Sequence, residues 1–230
     1  MSSTTPQVNS QEIWTREDDY QNSFLIPQDD ALDFATENSS KNELPQIAVS
    51  PAQGKFLYLI AKSIGAKRVL EVGTLGGYSA IWLSRALPPD GDLVTLESEE
   101  KHAMVARQNL DNAGADISAR VKIILGSATD SLVQLKCVPR PFDLAFIDAD
   151  KSGFLTYYTE AKRLVRSGGV ILIDNMVRRG GPSDPTNTEP ANVKIRELLQ
   201  LIKDDKEVEA TTISTVGVKG YDGFTYILRK

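Results

Sequence analysis

Acidic residues close four separate apolar runs, and that placement is where chemistry first shows in the chain. Ala145-Phe146-Ile147 leads into Asp148-Ala149-Asp150-Lys151, and Ile171-Leu172-Ile173 leads into Asp174-Asn175. The carboxylates of Asp148 and Asp174 with the amide oxygen of Asn175 make a hard, oxygen-only set. Such a set suits Mg²⁺, Mn²⁺ or Ca²⁺ rather than zinc and leaves positions for water or substrate oxygens. Taken singly, each could be a solvated turn residue or a helix cap; their coincidence at two strand tips favours the metal. Lys151 follows Asp148 by three residues. Beside a cation and its hydroxyl ligand, a lysine can have a lowered pKa and act as a general base. Its alternative role is a surface lysine paired with Asp150.

The other two acids frame a glycine-rich turn. Val69-Leu70-Glu71-Val72 reads as a buried strand, Gly73-Thr74-Leu75-Gly76-Gly77 as a tight turn, and Tyr78-Ser79 onward as a helix start. A strand, turn and helix N-terminus in this order let a ligand approach bare backbone. Glu71 precedes the first glycine by two residues, and a buried charge there needs a polar partner. Glu97 ends the next run, Leu93-Val94-Thr95-Leu96, where an acid is placed to accept both hydroxyls of a ribose. The glycine spacing departs from G-x-G-x-x-G, so the corner suits a nucleoside cofactor without phosphates better than a dinucleotide. The small-residue loop Gly126-Ser127-Ala128-Thr129-Asp130 could lie flat against an adenine.

Positioning these groups requires alternating strands and helices. Strands are expected at Val69–Val72, Leu93–Glu97, Val121–Leu125, Asp143–Asp148 and Val170–Asp174, with two more near Thr211–Val216 and Phe224–Leu228. Helices are expected at Lys55–Ser63, from Tyr78, and at Glu99–Ala113, Asp130–Leu135, Gly153–Val165 and Ala191–Lys203. Ser50 and Pro51 read as the cap and first residue of the Lys55–Ser63 helix. The pattern predicts an α/β fold: a doubly wound sheet of about seven strands, mostly parallel with an antiparallel C-terminal strand, helices on both faces. Residues 1–12 read as a flexible tail and 13–230 as a single domain with an N-terminal helical arm at 13–46. That arm could cap a substrate pocket, pack on a second subunit, or both.

Composition sets outer limits. A chain of 230 residues supports one large α/β domain. A net charge of −5 argues against a nucleic-acid partner. The single cysteine, Cys137, excludes a disulfide framework, and the single histidine, His102, leaves little room for a Ser-His-Asp triad. No apolar run reaches membrane-spanning length, and the polar, acidic N-terminus does not read as a signal peptide, so no membrane partner and a cytoplasmic location are expected.

Three motifs in order, Glu71-Val72-Gly73-Thr74 with Gly77-Tyr78-Ser79, then Phe146-Ile147-Asp148-Ala149-Asp150-Lys151, then Asp174-Asn175, resemble the cation-dependent O-methyltransferases. That family includes the caffeoyl-CoA O-methyltransferases and, more distantly, catechol O-methyltransferase. The resemblance runs from about Ile47 to Lys230 and implies a Rossmann-like fold, S-adenosylmethionine (SAM) as cofactor and a divalent cation. It implies that Val49, Glu71, Gly73 and Ser79 hold the amino-acid part of SAM, with Asp148 beside them. Glu97 would then hold the ribose and Ala128 the adenine. Asp148, Asp174 and Asn175 would hold the metal, Lys151 would be the base, and the chain would form a homodimer. The implied acceptor is a small catechol-type phenolic, flavonoid or hydroxycinnamoyl compound with vicinal hydroxyls. Two departures stand out: the segment Arg178–Asn187 has its own sequence, and Arg196 lacks the family's Arg-x-x-Asn continuation. Arg178 and Arg179 could meet CoA phosphates, but a free phenolic acceptor is the favoured expectation. Tyr157-Tyr158 reads as core packing, and Asp116, Asp204 and Asp205 as solvent charges. Competing classes are an NAD(P)-dependent oxidoreductase, which lacks its glycine spacing here, and a non-catalytic nucleoside-cofactor-binding protein, which has no need of the clustered acids and Lys151.

Overall fold

A computed structural model describes residues 9–230. Seven strands run β1 (Arg68–Val72), β2 (Asp92–Glu97), β3 (Val121–Leu125), β4 (Phe142–Ile147), β5 (Val165–Ile173), β6 (Val208–Gly217) and β7 (Gly220–Arg229). They form one sheet in the order β3-β2-β1-β4-β5-β7-β6. The first five pair in parallel, and β7 inserts antiparallel between β5 and β6. Strand order reverses between β1 and β4, and a crevice opens at such a switch point beyond the carboxyl ends of the strands.

Apolar residues on alternate sides of β1 explain the helices on both faces. Leu70 and Val72 belong to one core cluster with Phe142, Ile147, Phe154, Tyr158 and Leu198, which joins helices α8 (Phe154–Leu164) and α9 (Pro190–Asp204). Val69 belongs to the other, with Leu57, Ile81, Leu83, Leu144 and Leu110. That second cluster seats α3 (Pro51–Ser63), α4 (Tyr78–Ala86) and α5 (Glu100–Asn112). Ser50 caps α3 by accepting from Gln53 N, and Pro51 takes the first helical position, as its sequence predicts.

The arm is two helices, α1 (Ser10–Leu25) and α2 (Asp30–Lys41). Asn9 caps α1 by accepting from Gln11 N, so helix extends into the segment 1–12 read as tail; residues 1–8 lie outside the described residues. α1 buries no side chain, which is why its sequence lacks a strong apolar period, whereas α2 buries Leu32 and Ala35. A short helix α6 (Ala115–Arg120), not expected from sequence, follows Gly114 and buries Ile117. α8 stops at Leu164, one residue before the expected Val165, and β5 starts at Val165 rather than Val170, so that Gly168 and Gly169 fall inside the strand. Pairing passes from Phe142–Val165 to Leu144–Val170, and this irregularity accommodates the two glycines within the strand.

Candidate active site

The carboxyl ends of β1, β2 and β4 open on a cavity of about 1120 Å³ at the switch point. Gly73 takes φ +100 beside β4, where an added Cβ would collide with the Asp148 carbonyl oxygen. Only glycine allows the two backbones this close. Asp148 N donates to Val72 O at 2.9 Å, which joins the two strand tips. Gly77, at φ +75, opens α4 and sets Ser79 in its first turn at the cavity wall.

Glu97 is buried at the tip of β2 and lines the cavity. Its Oε2 accepts from Leu75 N at 2.8 Å and Thr74 N at 3.3 Å, and its Oε1 from Glu99 N at 3.0 Å. The acid therefore fixes the glycine-rich turn as well as facing the cavity. His102 Nδ1 lies 3.4 Å from the same Oε1. Val49 enters the wall from the segment before α3, and Ala128 from the start of α7 (Ala128–Gln134).

Glu71 is fully buried and does not line the cavity. Its Oε2 accepts from Thr95 Oγ1 at 2.6 Å, and Thr95 meets Thr74 Oγ1 at 2.6 Å. Oε1 is buried without a partner. Desolvation pushes the carboxyl up to about 7, opposed by the neighbouring Ser79 and Thr95 hydroxyls. Glu71 thus reaches the cavity through the residues in front of it.

Asp148, Lys151 and Asn175 converge on one wall of the cavity. Asp174, 6% exposed, sits behind them. Its Oδ1 accepts from Asn175 N at 2.8 Å, and its Oδ2 from Gln53 Nε2 at 2.7 Å. Asn175 takes φ +56 and accepts from Lys151 Nζ at 2.8 Å through Oδ1. The ammonium also donates to Ala149 O at 3.0 Å and lies 4.7 Å from the centre of the Phe154 ring. Desolvation first, and then the Asp174 charge, push Asp148 up to about 7. Desolvation likewise raises Asp174 and lowers Lys151. Two carboxylates brought together, Asp174 buried and Asp148 at the cavity wall, with the Asn175 amide oxygen and a single lysine beside them, are a donor set that fits a divalent cation. Among the described residues no group of three or more His, Cys, Asp or Glu comes together at one place.

Several contributors were not legible in the sequence. Gln53 reaches Asp174 because Ser50 starts α3 beside the tip of β5. A pocket-capping role was among those expected of the arm, but not its residues: Ala35, Thr36 and Ser39 of α2 complete the wall near the glycine-rich turn. Asn109 holds it there, donating to Gly76 O at 2.8 Å and Ala35 O at 3.3 Å. Tyr157 and Tyr158 are both in the core cluster as expected, and Tyr157 also touches the cavity and donates to Asp150 at 2.6 Å. Asp150 is thereby engaged away from Lys151, which removes the surface-pair role. Asp205 is not a solvent charge: it accepts from Tyr158 Oη and Lys162 Nζ, both at 2.7 Å.

The sequence pattern of the O-methyltransferase family matches residues 26–230. The chain is 48% identical over 211 residues to a catechol O-methyltransferase of Mycobacterium tuberculosis, covering 92% of this chain and 94% of that protein. It is 44% identical over 224 residues to a catechol O-methyltransferase of Niastella koreensis, covering 97% of this chain and all of that one. Among solved structures, the O-methyltransferase TomG from Streptomyces achromogenes in complex with SAM superposes with a TM-score of 0.93 at 42% identity, covering 97% of this chain and all of that one. Likenesses this extensive displace the oxidoreductase and non-catalytic readings: the chain belongs to the O-methyltransferase family.

Proposed function

We propose that this enzyme moves the methyl group of SAM to one hydroxyl of a catechol-type phenol, with a divalent cation held by Asp148, Asp174 and Asn175. The observation that carries the reading is that Asp148, Lys151 and Asn175 line the same cavity as Gly73, Ser79 and Glu97. In this reading Glu97 accepts the ribose hydroxyls, and Ala128 flanks the adenine. Val49, Gly73 and Ser79 hold the amino-acid part, with Glu71 orienting Ser79 from behind. Bound SAM supplies an electrophilic methyl group, and a bound cation supplies positive charge that lowers the pKa of a neighbouring hydroxyl. Lys151 takes the hydroxyl proton on Nζ. Its desolvation favours the neutral amine that this role requires, and Asn175 Oδ1 keeps Nζ in place. Much of the acceleration comes from holding oxygen and methyl in line.

The test is transfer of labelled methyl from SAM to a panel of catechols, with Mg²⁺ and with EDTA. Transfer that stops with EDTA is expected. Transfer that survives EDTA overturns the metal roles, and transfer only to monohydroxyl acceptors overturns the catechol reading. We further propose a homodimer. α1 leaves Tyr20, Phe24 and Leu25 more than half exposed, Phe24 at 72%, and a second copy would cover them. Light scattering giving a monomer mass across micromolar concentrations would exclude it.

A further inference from the structure

The segment Arg178–Glu189 touches the cavity only through Arg178, and its backbone is costly. Arg178, Arg179 and Gly180 take φ +45, +56 and +85 in succession, a left-handed run that the two arginine side chains resist. No residue of the segment is buried, so hydrogen bonds rather than core packing must hold it.

Those bonds come from two sides. At the start, Asp222 Oδ1 of β7 accepts from Val177 N at 3.1 Å and Arg178 N at 2.8 Å. At the far end, Arg196 of α9 grips three carbonyls. Its Nη1 donates to Pro182 O at 3.3 Å and Asp184 O at 3.2 Å, and its Nη2 to Asn187 O at 2.7 Å. Asn187 Oδ1 accepts from Glu189 N at 2.9 Å, and Glu189 Oε1 accepts from Arg178 Nη2 at 2.8 Å. Asn192, also of α9, donates to Glu189 Oε2 at 3.1 Å and lies so close to Gly181 that a Cβ there would collide with it. A continuous relay thus runs from Arg196, outside the cavity, through Asn187 and Glu189 to Arg178 in its lining. The planar fork of a guanidinium can serve several carbonyls at once in fixed directions, which a lysine ammonium cannot.

We propose that Arg196 is a positioning residue for the acceptor, fixing from outside the cavity the segment that brings Arg178 into its lining. The inference rests on the O-methyltransfer reading, which seats the acceptor hydroxyl at Lys151 and Asn175, three residues before Arg178. The residues assigned to SAM lie on other segments, so loss of the anchor should fall on the acceptor and spare the cofactor. Hydrogen bonds from a charged donor support an effect of about 10- to 100-fold.

The test compares the full chain with Arg196→Ala, Arg196→Lys and Asn187→Ala in labelled methyl transfer from SAM to catechol with Mg²⁺. Calorimetry of S-adenosylhomocysteine and amide hydrogen exchange are read on the same proteins. Arg196→Ala should raise the KM for catechol about 10- to 100-fold with kcat near that of the parent. Its affinity for S-adenosylhomocysteine should be unchanged, and amides of Asp184–Glu189 should exchange faster. Arg196→Lys should recover part of the loss. Asn187→Ala cuts the relay outside the core, where folding is not at stake, and should move KM in the same direction. An unchanged KM in both alanine variants overturns the proposal. So does a fall in S-adenosylhomocysteine affinity matching the rise in KM, which marks a merely structural role. Exchange separates the two readings. A parent chain that methylates no catechol overturns the acceptor reading and the KM effect drawn from it, whereas unchanged exchange in Arg196→Ala with transfer intact overturns the anchor alone.

Discussion

Lys151 and Asp174 are each held by two hydrogen bonds to different partners, so substitutions there have distinguishable consequences. Lys151→Ala should lower kcat by about 10²- to 10⁴-fold, the range for a lost general base, with SAM affinity by calorimetry near that of the parent. Asp174→Ala should abolish cation-dependent turnover; full activity in that variant would remove Asp174 from the cation site. Gln53→Ala strips Asp174 of its 2.7 Å donor. By the usual effect of losing a partner behind a ligand, Mn²⁺ affinity should fall about 10- to 100-fold, readable by electron paramagnetic resonance without any turnover. Glu71 gives a pH signature. Its folded-state value of about 7 exceeds the unfolded value near 4.5, so the folded chain binds the proton more tightly. The associated stability is complete below pH about 4.5 and is lost as pH climbs to about 7. At 1.36 kcal/mol per unit, the loss is on the order of 3 kcal/mol. Glu71→Gln should therefore flatten the pH dependence of urea unfolding in this window and stabilise the cofactor-free protein at pH 8. A parent chain whose stability rises between pH 5 and 7.5 would contradict this.

At the scale of elements, the cavity depends on how α2 is pinned. Asp29 accepts from Ala31 N and Leu32 N as the helix cap, and Arg85 of α4 grips the same carboxylate at 2.5 and 3.1 Å. Asp29→Ala removes the cap and the ion pair together. It should cost about 1–2 kcal/mol in denaturant unfolding, the upper range for a lost cap, and should weaken SAM binding, because Ala35, Thr36 and Ser39 ride on this helix. Unchanged affinity would mean that α2 is a passive cover. Element types were legible because β1, β2, β4 and β5 are apolar runs closed by glycine or acid. Their boundaries were less so: β5 begins five residues early because its pairing with β4 slips, and a cross-strand register leaves no mark in one strand's own sequence.

Across the whole molecule, the switch point between β1 and β4 gathers residues spread from Ala35 to Lys219 into one cavity. Among the described residues no helix is long and apolar enough to cross a membrane. Local sequence determined the strand tips and the turn: glycines where backbone must approach backbone, and acids just past apolar runs, because these demands fall on consecutive residues. It therefore named Gly73, Glu97, Asp148 and Asn175 as cavity residues. Tertiary structure alone decided that Glu71 and Asp174 stand behind the wall, that Gln53 braces the latter, and that Tyr157 reaches the cavity from the core. It also decided which residues of α2 line the cavity, and that Arg178 and Lys219 line it as well. These depend on which distant segments the sheet order brings together, and on side chains whose partners lie tens of residues away, where no local period or spacing carries the information.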